Sequence, residues 1–283
     1  MLIFFSEGRL GNQLFQYAFL NAQAKDDEII FSFNMTDLIQ FFEIENTNFK
    51  QITPNRYLTF FIRLLVRGVF LKFLVWLKII SFLRQDRNLT SVLPSYNISK
   101  GFLPITLVNT DFFQSEKFFS EKKLNISLKS KYVIKAKSFL NSIPNGYNKI
   151  FIHVRSGDYK SEKYLGQVGI DLPTNYYFNA IEKIKSKFSK PFFIFLSDDV
   201  DYVTYCFAKV PNKIISKNSI AVDMGIMSLC DGGICSNSSF SWWGAYFMNS
   251  KQSIIMPKYW YGWKQKIDSH VGIQPEWCNV LEA

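Results

Sequence analysis

The chain has 283 residues, 48% hydrophobic with 29 Phe, and 33 Lys and Arg against 23 Asp and Glu. That length fits one large domain or two of about 140 residues with a cleft between them, and the apolar content excludes a disordered chain. The formal charge of +10 favours anionic partners, yet no compact basic block and no C2H2, RRM or KH signature appears, which argues against nucleic-acid binding.

The chain opens with an apolar strand, Leu2 to Phe5, then Glu7-Gly-Arg-Leu-Gly-Asn-Gln13 and a helix-like run from Leu14 to Ala24. A Gly-containing turn feeding a helix N-terminus suits a phosphate, because free N–H groups and the helix dipole both favour anions. Gly8-x-x-Gly11 does not match G-x-G-x-x-G, and Glu28 is a weak ribose-binding acid, so a nicotinamide dehydrogenase is disfavoured. The first residues lack a charged n-region and a long apolar run, so the expectation is a cytoplasmic protein without a signal peptide. The sequons at Asn34, Asn88, Asn97, Asn125 and Asn237 then read as chance matches.

Residues 58 to 83 are strongly apolar but interrupted by Arg63, Arg67, Lys72 and Lys78, which excludes a bilayer span. At 100° per residue, Arg63, Arg67 and Lys78 fall within about 60° of one another, with Lys72 on the far side. The pattern predicts a basic amphipathic helix, either packed on the N-terminal domain or lying at an interface with anionic lipid. Ser142-Ile-Pro-Asn-Gly146 is the best linker candidate, giving domains at 1–145 and 146–283.

Beyond it, apolar runs of strand length at 150–154, 192–196, 213–215, 233–235 and 253–256 alternate with helix-like segments near 174–188, 199–208, 221–230 and 239–248. This alternation predicts a Rossmann-like α/β domain with a doubly wound parallel sheet. In such sheets ligands bind beyond the carboxyl ends of the strands. Here the first strand ends in Arg155-Ser-Gly-Asp-Tyr159, the second in Ser197-Asp-Asp199 and the fourth in Ser236-Asn-Ser-Ser239. Three polar strand ends on one crevice would form a nucleotide-sized site.

Arg155 offers a planar fork suited to a diphosphate; the plainer alternative is a salt bridge to Asp158 on a solvated loop. His153 is either a core imidazole or a ribose or base contact. Asp198 could pair with two adjacent donors of a guanine edge. Asp199-Val-Asp201 spells the Asp-x-Asp of metal-dependent glycosyltransferases, although both carboxylates suit the first turn of a following helix better. Ser238 or Ser239 caps the next helix, whose hydroxyls and amides also suit a phosphate, and Trp242 and Trp243 pack as core. Cys206, Cys230, Cys235 and Cys278 are too irregular for a disulfide framework, and with two His they do not make a zinc site.

Four segments together resemble the fucosyltransferases of glycosyltransferase family eleven, typified by alpha-1,2-fucosyltransferases. They are Gly8-Arg-Leu-Gly-Asn-Gln-Leu-Phe-Gln-Tyr-Ala18; His153-Val-Arg-Ser-Gly-Asp-Tyr159 with Leu172-Pro-Thr-Asn-Tyr-Tyr177; Phe195-Leu-Ser-Asp-Asp199; and Met227-Ser-Leu-Cys230 with Ser236-Asn-Ser-Ser-Phe-Ser-Trp-Trp-Gly244. The resemblance leaves about residues 30 to 145 unmatched. It implies a GT-B-like fold of two Rossmann-like domains facing a cleft, an acceptor-side N-terminal domain and a GDP-sugar-binding C-terminal one. It further implies inverting transfer of fucose from GDP-fucose to a sugar hydroxyl, usually O2 of a terminal galactose, with no metal or other cofactor. The family often carries two adjacent arginines after His-x; here the second position is Ser156.

On this expectation, inversion is one in-line displacement. Arg155, the Ser238 and Ser239 hydroxyls and helix-terminal amides stabilise the departing GDP. Asn12 and Gln13 close over the pyrophosphate or sugar, and Asp158, with Glu7 in reserve, takes the acceptor proton. The expected partners are GDP-fucose and a galactose-terminated glycan such as an O-antigen unit, with a peripheral contact at the inner membrane face. The alternatives are another linkage, another nucleotide sugar, or a non-catalytic carbohydrate-binding or membrane-surface protein.

Overall fold

The computed structural model describes residues 1–52, 69–86, 93–122 and 124–283. The chain divides into two compact units, Met1–Ser127 and Leu128–Ala283.

In the first unit, Leu2–Phe5 is a strand within a six-stranded sheet of order Phe49–Ile52, Ile30–Phe33, Leu2–Phe5, Thr106–Val108, Ser81–Gln85, Tyr96–Ser99. Neighbours are parallel except the last pair. The following helix runs Leu10–Gln23, four residues longer at its start than its apolar periodicity indicated. Gly8, at φ +89°, makes the turn alone, and Gly11 lies inside the helix. Leu14, Phe15, Ala18 and Phe19 are buried, and Phe19 stacks on Phe113 with ring centroids 3.7 Å apart.

The expected amphipathic helix at 58–83 is corrected where it is described; Arg63 and Arg67 lie outside the described residues. Leu71–Trp76 is helical, but Ser81–Gln85 is a strand. Pairing with Thr106–Val108 and Tyr96–Ser99 captures that segment, and helical periodicity carries no information about such non-local pairing. Leu71, Leu74 and Val75 pack with Phe5, Phe33, Phe82 and Leu107. No described helix is long and apolar enough to cross a membrane.

The second unit carries a parallel sheet of order Lys213–Ile215, Pro191–Ser197, Asn148–Val154, Gly232–Ile234, Ile254–Pro257, Asn279–Leu281. The first five strands in chain order are those expected, displaced at their ends by no more than two residues; Asn279–Leu281 is an addition. Helices Thr174–Lys185, Val200–Cys206, Ile220–Ser228 and Ser239–Tyr246 alternate with them. Asn148–Val154 comes first in the chain and sits mid-sheet, with its two successors on one side and the later three on the other. This is the doubly wound order, and the reversal beside the first strand is where such sheets open a ligand crevice. Residues from these strands and helices form one core, including Ile150, Ile152, Tyr176, Ile181, Phe195, Phe207 and Ile234.

The unit boundary falls at 127/128 rather than at 145/146. Helix Ser130–Asn141 packs on helix Ile220–Ser228, so the Pro144-Asn-Gly146 turn lies within the second unit. Turn residues mark a chain reversal, which need not separate domains. Gly225 permits the close packing: a Cβ there would come within 2.9 Å of the Ala136 Cβ. Gly225→Val should therefore destabilise the second unit by about 1–3 kcal/mol through overpacking. A urea midpoint unchanged from wild type would refute this account of the helix pair.

Candidate active site

Strand register assembles the polar residues. Val154 pairs with Ser197, so Arg155 and Asp198 leave the sheet side by side, and the Arg155 Nη1 lies 3.2 Å from the Asp198 Oδ2. The other Asp198 oxygen accepts the Ser156 amide at 3.0 Å. A side chain at Gly157 would run into the same carboxylate, so this position holds the one residue that lets the turn close. From the opposite side, the Arg155 Nη2 donates to both Asp158 oxygens at 2.6 and 2.8 Å. The Tyr159 ring lies 5.0 Å from the guanidinium carbon. Arg155 is thus held between two carboxylates and an aromatic face, its side chain only 15% exposed.

On the other flank, Ile152 pairs with Ile234, which brings Ser236 to His153. The His153 Nδ1 and Ser236 Oγ are 2.7 Å apart. Burial, with a smaller contribution from the Arg155 charge, pushes the imidazole down to about 3, so His153 is neutral at physiological pH. Its geometry suits a fixed hydrogen-bonding group more than a proton shuttle. Asn237 donates to the Ile170 carbonyl at 2.6 Å and its own carbonyl accepts the Tyr159 hydroxyl at 3.4 Å. That hydroxyl also meets Tyr261 at 3.0 Å. Ser238 caps helix Ser239–Tyr246 by accepting the Phe240 amide at 3.3 Å, and Ser239 is the first helical residue. Trp242 and Trp243 are fully buried.

Two buried polar atoms of this cluster have no hydrogen-bond partner: Arg155 Nε and Asn237 Oδ1. Each such atom costs about 1–3 kcal/mol unless a partner reaches it. The Ser156 position contributes a backbone donor to the turn rather than a second cation.

Several expected residues have structural partners. Both Asp198 oxygens have partners in the Arg155 loop, one facing Arg155 and the other accepting the Ser156 amide. Asp199 caps helix Val200–Cys206 and pairs with Lys160 at 3.0 Å. The Tyr202 amide, then Lys160, holds its carboxyl below the usual range. Asp201 sits in that helix's first turn. Among the described residues, no group of three His, Cys, Asp or Glu could hold a metal ion. In the first unit, Gln13 donates to the Gly8 carbonyl and accepts the Leu38 amide, both at 3.0 Å. It ties the turn and helix together and is buried. Asn12 accepts from Gln114 at 2.7 Å, and Glu7 is exposed on the turn.

Sequence reasoning passed over Asp223 and Tyr261, and took Asn237 only as one of the polar residues at its strand end. Asp223 is buried in helix Ile220–Ser228 and accepts from Ser216 at 2.6 Å, just past strand Lys213–Ile215. Desolvation raises its carboxyl to about 7. Its sequence signal was one acid in an otherwise apolar segment, Ile220-Ala-Val-Asp-Met-Gly-Ile226.

A profile of the family described as Glycosyl transferase family 11 matches residues 104–280. The O-antigen biosynthesis glycosyltransferase WbnK of Escherichia coli is 28% identical over 92% of this chain and 94% of its own. An alpha-1,2-colitosyltransferase of Escherichia coli is 29% identical over 60% of this chain and 61% of its own. Among solved structures, NodZ alpha-1,6-fucosyltransferase soaked with GDP-fucose is similar at a TM-score of 0.51 and 15% identity, covering 87% of this chain and 92% of that one. POFUT1 in complex with GDP is similar at 0.53 and 15%, covering 90% and 97%. These likenesses are ones of fold, and the fold is α/β and GT-B-like.

The buried Asp223 yields a pH signature. Its folded pKa, near 7, lies above the unfolded value of about 4. The folded state therefore binds more protons in that interval, and stability falls as pH rises from about 4 to 7. Asp223→Asn keeps an acceptor for Ser216 and removes the charge. It should add about 1–3 kcal/mol at pH 8 and little at pH 4; equal effects at both pH values, in chemical denaturation, would contradict the buried-acid assignment.

Proposed function

This chain belongs to glycosyl transferase family 11 and is a glycosyltransferase, and we propose that it transfers fucose, with inversion, from GDP-fucose to a sugar hydroxyl such as O2 of a terminal galactose. The observation that carries the proposal is the guanidinium of Arg155, held at the sheet's switch point between Asp158 and Asp198. A rigid fork at a strand end matches a diphosphate and the charge that builds on it as the sugar leaves. Its orientation is set before the donor arrives, which is what makes such stabilisation effective. Two fold neighbours were solved with GDP-fucose or GDP, which supports a GDP-linked donor.

In the proposed mechanism the leaving diphosphate lies against Arg155, the Ser238 hydroxyl and the first amides of helix Ser239–Tyr246. Asp158 is 52% exposed and Asp198 24%. An incoming diphosphate competes with the more exposed carboxylate for Arg155. Asp158 then turns outward, free to accept the proton of the attacking hydroxyl, while Asp198 keeps its hold on the turn. The acceptor oxygen bonds to the anomeric carbon as the bond to the GDP oxygen breaks. No step uses a metal, a role for which Asp199 is already committed as cap and ion-pair partner. A second donor is favoured by one specific likeness: the relative named as an alpha-1,2-colitosyltransferase makes colitose the main competitor for fucose.

The decisive assay offers GDP-fucose and other GDP-sugars with galactose-terminated acceptors, with and without chelator, and determines product linkage by NMR. Fucose at O2, formed at the same rate in chelator, is the expected result. Another sugar or linkage would move the assignment within the family, and loss of turnover restored by manganese would overturn metal independence. No GDP binding by calorimetry would favour a non-catalytic carbohydrate-binding protein.

Arg155→Lys replaces the fork by a point charge and should lower kcat about 100-fold with the fold intact. A rate close to wild type would remove Arg155 from the reaction.

A further inference from the structure

Helix Leu71–Trp76 in the first unit is apolar on both faces. Leu71, Leu74 and Val75 face the sheet, while Val69, Phe70, Phe73, Trp76 and Leu77 are exposed, Trp76 at 74%. A helix on a water-facing surface normally keeps a polar outer stripe. Phe73 and Trp76 instead lie stacked, with ring centroids 5.9 Å apart.

A second segment, distant in sequence, extends this surface. The Phe102 amide donates to the Lys78 carbonyl at 2.9 Å and the Leu103 amide to Ile79 at 2.8 Å, which fixes Phe102 beside the helix's end. Phe102 is 89% exposed. The sequence around these side chains is mainly basic: 69–86 and 93–111 contain Lys72, Lys78, Arg84 and Lys100 against Asp86, which bonds to Ser95, and Asp111, which is buried. All four cations are exposed.

We propose that this face docks on the surface of an anionic lipid bilayer. The aromatic and aliphatic side chains would enter the headgroup and upper acyl region, where indole is favoured, while the lysines meet the lipid phosphates. A helix of six residues is about 9 Å long, so it lies in the interface and does not span. Charge decides among occupants. A second copy of a chain with net charge +10 would bring like-charged rims together, whereas an anionic surface neutralises them. The proposal is independent of the sugar transferred.

The test is co-sedimentation of the full chain with vesicles of phosphatidylglycerol and phosphatidylcholine, against phosphatidylcholine alone, at low salt and at about 0.5 M salt. Binding to the anionic vesicles that weakens with salt is expected. A Phe73→Ser, Trp76→Ser, Phe102→Ser triple variant should lose about tenfold or more in affinity, and Lys72→Gln with Lys100→Gln should lose roughly fivefold per lysine. All these positions are exposed, so thermal melting and GDP binding should match wild type and show that the fold survives. No binding to anionic vesicles, or unaltered binding by the triple variant, overturns the proposal. So does a concentration-dependent dimer, seen by sedimentation velocity and abolished by the same substitutions, which would make a second copy the occupant.

Discussion

A guanidinium largely withdrawn from water has to be compensated, and the architecture of the second unit around its central strand can be understood from that requirement. Arg155 follows the buried strand Asn148–Val154 and meets Asp198 from the adjacent strand end and Asp158 from its own turn. Removing either partner would leave part of the charge unpaired, which costs more than the pair contributes. The parallel register of Val154 with Ser197 delivers Asp198 to the right place. The same carboxylate then binds the Ser156 amide, so one acid orients the cation and shapes the turn that presents it.

The charges nearby are arranged unequally, and the inequality has chemical meaning. Asp198 and Asp158 share Arg155, but one is tied to the backbone and the other faces solvent. His153, deprived of its charge by burial and by the neighbouring cation, adds a neutral hydrogen-bonding group without adding to the positive field. Asp223 is a separate case: burial without a cation raises its carboxyl, so it can stay protonated into the neutral range. Tyr159 links the two strand ends through Asn237 and Tyr261, and through its ring to Arg155. A diphosphate site needs this mixture of a fixed cation, neutral donors and one releasable carboxylate.

The first unit divides its tasks differently. Its glycine turn and first helix are consolidated by Gln13 and Gln16, which bond backbone groups at Gly8, Leu38 and Glu7, so polar residues near a helix N-terminus here hold the fold. Among the described residues, the outer apolar face of Leu71–Trp76 is left exposed. An exposed apolar face of this kind is the sort of surface that interaction sites use.

The alternation of strands and helices from Asn148 to Pro257 was legible because buried parallel strands read as short apolar runs and their ends turn abruptly polar. So were the Ser238 cap and the place of Asp201 in the first turn of its helix, since residue type and local position determine these roles. The split of residues 69–85 into helix and strand, the boundary at 127/128 and the partners of Asp198 and Gln13 were not legible. Each depends on a partner distant in the chain: Thr106–Val108 for the strand, Ile220–Ser228 for the boundary, Ser156 and Arg155 for Asp198, Leu38 for Gln13. Sequence by itself determined the kind of fold and the chemistry available at the strand ends. Only the tertiary structure decided which donors and acceptors remain for a ligand, because a side chain's hydrogen-bonding capacity is finite and is spent on whichever neighbours the fold brings near.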